Sequence, residues 1–123
     1  MISETVYGIL SVAAGITTIT TNIFPVVIPQ KANPPAITYQ RDGSRYLRTF
    51  DGHVQLVEAS FQIDCWASSV ATAESLAAAV KSVLIDYSTA PITQVWLTNE
   101  LNLFEAETEL HRVLLQFTVW HIE

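Results

Sequence analysis

The sequence predicts an α+β fold: a mostly antiparallel β-sheet with two α-helices packed on one face and a long β-hairpin arm. Three observations carry this. One segment, Val57 to Trp66, alternates apolar and polar residues with strict period two, as a half-buried strand does. Two other segments, near Glu4–Ala14 and Val70–Ile85, repeat apolar residues at helical spacing. The order of elements is helix, short strand, strand, long arm, strand, helix, strand, strand, which suits an antiparallel sheet covered on one side. At 123 residues with no internal repeat, residues 1–123 are expected to form one domain.

In the first helix, Ser3 is a suitable N-cap and Glu4 favours the positive end of the helix dipole. Val6, Ile9, Leu10 and Ala13 make its apolar stripe, and Gly15 is expected to supply a left-handed stop. Thr17 to Pro35 begins β-branched and is then broken by Pro25, Pro29, Pro34 and Pro35. It reads as a short edge strand followed by an extended crossing segment, because proline cannot sit inside a paired ladder. Ala36–Gln40 is the next strand. The arm, Arg41–Gln55, carries Asp42-Gly43 and Asp51-Gly52, both read as turn signals.

The strand Val57–Trp66 puts Val57, Ala59, Phe61, Ile63 and Cys65 on one face and Glu58, Ser60, Gln62 and Asp64 on the other. Ser68 or Ser69 caps the second helix, whose apolar side is Ala73, Leu76, Ala77, Val80, Val83 and Leu84. Strands are then expected over Thr93–Phe104 and His111–Ile122, with Glu105–Glu109 as an acidic turn. Parity places Trp66, Trp96 and Trp120 on the face away from the helices, joined by Leu114 and Phe104 if no bulge intervenes. Such an aromatic patch suggests a partner surface, with a loop of the same chain, such as "IFPVVIP", as the other way to cover it.

Composition removes several function classes. Hydrophobic residues make up 50% and charged ones 15%, below the ~25% typical of soluble domains, which suggests surface covered by other subunits. Six basic against twelve acidic residues give a net charge of -6, which argues against a protein that grips DNA phosphates. No apolar run reaches the ~18–20 residues that span a bilayer, and the start of the chain has no basic region of signal-peptide type.

Candidate chemistry is sparse. Cys65 stands beside Asp64, but neighbours on a strand face opposite ways, so an inert core cysteine is expected. His111 and His121 lie ten residues apart, ~33 Å along a strand, and His53 is remote, so no shared metal is expected. Glu105, Glu107 and Glu109 alternate without a glycine to shape a cation loop and read as a solvated turn. The four glycines form no phosphate loop, and no serine sits in a nucleophile elbow. No cofactor is expected. The arm interleaves Arg41, Arg45 and Arg48 with Tyr46 and Phe50, which reads either as a small nucleic-acid arm or as an arm that pairs with an acidic neighbouring subunit; the second is favoured.

Two stretches, "NIFPVVIPQKANPPAITYQ" and "FQIDCWASSVATAESLAAAVKSVL", resemble the tail-completion, or tail-terminator, proteins of long-tailed bacteriophages. The likeness covers nearly the whole chain and is strongest over Asn22–Leu84. It implies a structural protein without catalytic residues or cofactor. Such proteins form a six-membered ring that caps the tail tube, stops its polymerisation and joins it to the head connector. Their implied partners are further copies of the chain, the tail tube protein and a head-tail connector or stopper protein, while genomic DNA passes through unbound and no membrane is involved. The implied location is the virion tail or neck, with the host cytoplasm during assembly. On that reading the arm reaches a neighbour or the tube, the tryptophan face serves subunit packing, and Glu105, Glu107 and Glu109 accept basic residues of a partner. The alternatives are a head-tail connector adaptor or neck ring protein, often twelve-membered, and a small ligand-binding or enzymatic α+β domain centred on Cys65.

Overall fold

A computed structural model describes residues 2–26, 33–49 and 52–122. Five strands form one sheet in the order β1-β2-β3-β5-β4, where β1 is Ile23–Pro25, β2 Ala36–Thr49, β3 Gly52–Ala67, β4 Ile92–Glu105 and β5 Leu110–Ile122. Three helices accompany it: α1 (Ile2–Val12), α2 (Ala14–Thr17) and α3 (Val70–Leu84). The fold is therefore α+β. The sheet is mixed, because β1 runs parallel to β2 while the other three pairings are antiparallel. Three helices are present where the sequence suggested two.

The additional helix follows from what happens at Ala13. Its extended backbone (φ -71°, ψ 119°) ends α1 and starts α2. Gly15 then lies inside a helical turn, not in a left-handed stop, and buried Ile16 anchors that turn. Ser3 falls within the first turn of α1 instead of capping it. The α1 stripe of Val6, Ile9 and Leu10 is buried, with Ile2 added to it. Ser69 is the cap of α3, its Oγ accepting from the Thr72 N–H at 3.2 Å.

β1 is a three-residue edge strand held close to its neighbour. The Thr20 hydroxyl donates to Pro35 O at 2.6 Å and accepts from Asn22 N–H at 3.0 Å, while Asn22 Nδ2 donates to Asn33 O at 2.9 Å. These bonds draw together the two ends of the proline-rich crossing. Its middle, including Pro29, lies outside the described residues.

β2 and β3 pair from Ala36↔Trp66 to Thr49↔Gly52. Asp42-Gly43, read from sequence as a turn, is instead part of β2, at a register shift between Arg41 and Gly43. An extra residue in one strand and a tight turn use the same dipeptide for the same reason, low steric cost. The core forms on one side of the sheet. Val57, Ala59, Phe61, Ile63 and Cys65 of β3 and Val113, Leu115, Phe117 and Val119 of β5 are all buried, and Ala73, Leu76, Ala77, Val80 and Leu84 of α3 join the same cluster, except that Val57 stands outside it.

β4 contains two register shifts, Ile92/Gln94 and Leu97/Asn99. The extra residues are threonines, and each hydroxyl donates to a β5 carbonyl: Thr93 Oγ1 to Trp120 O and Thr98 Oγ1 to Gln116 O, both at 3.0 Å. The side chain thus supplies a hydrogen bond where the ladder is interrupted.

Candidate functional site

The three tryptophans singled out from the sequence lie on the face of the sheet opposite the core. Pairing places Trp66, Trp96 and Trp120 on it, opposite Arg112, Thr118 and Glu58 respectively. They do not form one patch. Trp96 and Trp120 meet edge to face with ring centroids 6.0 Å apart. Trp66 lies at the other end, eight β5 residues from Trp120, roughly 26 Å along the strand. There its indole N–H donates to Thr38 Oγ1 at 3.0 Å, and the Arg112 guanidinium lies 5.1 Å from its ring centroid.

Leu114 shares this face, but Phe104 does not. The Thr98 bulge moves β4 out of phase, so Leu101 and Leu103 take the outer face opposite Leu114 and Arg112. Phe104 pairs with His111 on the core side, with ring centroids 4.8 Å apart. Trp96, Leu101, Leu103 and Phe104 are all exposed. Phe104 and Leu103 also flank a shallow hollow of about 240 Å³ beside Val70 and Ala73 of α3.

Between the two tryptophan groups lies a polar cluster that sequence reasoning passed over. Asp64 points away from the core yet is only 7% exposed. Gln62 Nε2 donates to its Oδ2 at 3.0 Å, and Arg112 Nη1 stands 3.9 Å from the same oxygen. Burial pushes the Asp64 carboxyl above its ordinary range; the Gln62 bond and the Arg112 charge only partly oppose this. The available signal was the parity of Arg112, which on β5 must stand beside Trp66 and Asp64 if the strands pair.

The arm residues Arg41, Arg45 and Tyr46 are exposed on β2. Arg45 Nη2 pairs with Glu58 Oε2 at 2.6 Å, across the β2–β3 ladder. The side chain of Arg48 and the whole of Phe50 lie outside the described residues. At the opposite corner of the sheet, Glu105 ends β4, and Glu107 and Glu109 sit in the turn to β5, with Glu109 in a left-handed conformation (φ 56°). Among the described residues, arm and acidic turn do not meet within one chain.

Cys65 is fully buried, and burial, with Asp64 and Glu100 nearby, drives its thiol far above the ordinary range. His111 stands beside Phe104 while His121 is buried near the other end of β5, and no group of three or more metal-ligating side chains is assembled among the described residues.

The family described as tail completion protein gp17 matches residues 4–122. The chain belongs to that family. This makes it a structural component of a bacteriophage tail. Among solved structures, a chain described as part of the virion of a native gene transfer agent particle is similar, with a TM-score of 0.80 at 18% identity, covering 96% of this chain and 92% of that one. At that identity the likeness establishes a shared fold. No curated protein matches the sequence. The described residues of this tail completion protein present an open sheet face, a basic stretch of β2 and an acidic corner, with no reactive centre assembled among them.

Proposed function

We propose that this tail completion protein forms a six-membered ring that seats on the end of the tail tube, stops its polymerisation and joins it to the head connector. The observation that carries the proposal is the family match across residues 4–122, nearly the full chain. The similar solved chain comes from a virion particle, which fits a role inside such an assembly. The net charge of -6 fits a channel wall past which DNA slides without being held.

In this reading residues 1–123 act as one domain, assembled in the host cytoplasm and ending in the virion neck. Arg41, Arg45 and Arg48, with Tyr46 and Phe50, reach a neighbouring copy or the tube protein. Trp66, Trp96 and Trp120 pack against other subunits, and Glu105, Glu107 and Glu109 accept basic groups of a partner. Large aromatics and arginines are the side chains that most often anchor interfaces.

Native mass spectrometry with negative-stain imaging tests the ring, first on the purified chain and then with tail tubes added. Six copies of the 13.6 kDa chain, and tubes capped at one end and fixed in length, are the expected results. Twelve-membered rings would replace the terminator reading with a connector adaptor. Tubes that grow unchecked with the protein present would overturn the capping role.

A further inference from the structure

Both edges of the sheet offer backbone for pairing. On the outer side of β4, no strand pairs with its 14 residues among the described elements. At the other edge β1 covers Ile37–Tyr39 of β2, and among the described residues no strand pairs with the outer side of β2 from Gln40 to Thr49. Long open edges flanked by apolar side chains associate unless something covers them. Here the β4 edge carries exposed Trp96, Leu101, Leu103 and Phe104, and the β2 edge carries exposed Tyr46.

The two edges are opposite in charge. The open part of β2 holds Arg41, Arg45 and Arg48 against a single Asp42, which is engaged by Gln40. The distal end of β4 and its turn hold Glu100, Glu105, Glu107 and Glu109, of which Glu100 is paired with Lys81. Joining β4 to β4, or β2 to β2, would set like charges together. Joining β4 to β2 sets opposite charges together.

Strand direction favours the same choice. β2 and β5 run one way and β3 and β4 the other, so a sheet continued from β4 of one copy to β2 of the next is antiparallel at the junction. We infer that copies of this chain join edge to edge, the distal half of β4 in one copy pairing antiparallel with the open Gln40–Thr49 stretch of β2 in the next. Each copy uses each edge once, so the contact is head to tail, and closing the ring pairs both of these stretches in every copy. The inference rests on the ring reading and supplies its joint.

Two charge-reversed proteins test it. One carries Arg41→Glu with Arg45→Glu, and the other Glu105→Lys with Glu107→Lys; none of the four positions is buried. Each is assayed alone and mixed one to one, with tail tubes present so that a templated ring is also seen. Each variant alone should assemble about 100-fold more weakly than wild type. The mixture should recover rings in which the two proteins alternate, because both kinds of junction are again complementary. Amide hydrogen exchange in the wild-type ring should show the outer edge of β4 protected.

Mixtures that stop at one-to-one dimers would overturn the head-to-tail joint, since a like-edge contact cannot propagate. Variants that form rings alone, with β4 unprotected, would overturn edge pairing while leaving the ring intact. A wild-type chain that never assembles, even on tubes, would overturn the joint and the ring together.

Discussion

At Cys65 the strand decides the chemistry. Burial withdraws the thiol from water and disfavours the thiolate, the only form that attacks. A thiol-titrating reagent at neutral pH should therefore find no reactive group in the folded protein, and one full equivalent once denaturant is added. One position earlier, Asp64 is buried on the opposite face with its carboxyl shifted upward from an ordinary value of 3.8. The folded protein holds this proton over a pH range in which the unfolded chain has already lost it. The stability it contributes is complete below about 3.8 and is lost as pH rises through the folded value. Asp64→Asn removes that loss. Thermal melts should show the variant gaining on wild type as pH rises above about 3.8, with little difference at the acid end. A difference that runs the other way would mean that the Arg112 contact outweighs desolvation.

Among the elements, α1 offers the cleanest test of packing against propensity. Gly8 sits mid-helix with nothing within 4 Å of where a Cβ would be. Gly8→Ala should stabilise the protein by about 0.5–1 kcal/mol in chemical denaturation, because alanine loses less backbone entropy and meets no obstacle. Elements with an uninterrupted pattern were readable before any coordinates. β3 is regular for its whole core-facing run, and α3 has a serine cap and an apolar stripe, so residue type and position agreed. What escaped the sequence was local phase. Thr93 and Thr98 look like ordinary strand residues, and nothing in their identity reports that each is the extra residue of a bulge. Phe104 was consequently assigned to the outer face, and Leu101 and Leu103 were missed. Asp42-Gly43 and Gly15 failed for a related reason: glycine permits a turn or a stop but does not require one, and neighbouring strand and helix pairings decided otherwise. The polar cluster around Asp64 was hidden because period two says which face a residue takes, not how deeply its neighbours cover it.

For the whole molecule, the arm separates the stability of one chain from the stability of the assembly. The Arg45–Glu58 pair is exposed at its arginine end, 69%, so water screens it and its removal should cost the monomer less than about 1 kcal/mol. Arg45→Glu with Arg48→Glu should therefore leave the melting temperature of the isolated chain nearly unchanged and sharply weaken ring or tube association in sedimentation. The same association should weaken as salt is raised from ~0.05 to 0.5 M, since Arg41 and Arg45 are exposed and their charges are screened over about one Debye length. An arm variant that assembles as wild type does would remove the arm from the contact. On the ring reading, copies would cover one another's open sheet face and the strand edges left unpaired among the described residues.

The bulge at Thr98 also fixes how the gene for this protein can change length. A strand normally tolerates no single-residue deletion, because everything beyond the cut turns over and shows the wrong side. Thr98 is already surplus to the ladder: Leu97 pairs with Phe117 and Asn99 with Gln116, neighbouring rungs on β5. Losing that one codon would leave every later rung of β4 facing as it does now, at the loss of one hydroxyl bond to Gln116. Losing any single codon from Leu101 to Phe104 would instead reverse the rungs between the cut and the bulge or carry the acidic turn one residue inward. Relatives of this chain that differ by a residue in β4 should therefore show the gap at the bulge, and the hairpin tip should keep its orientation through such changes.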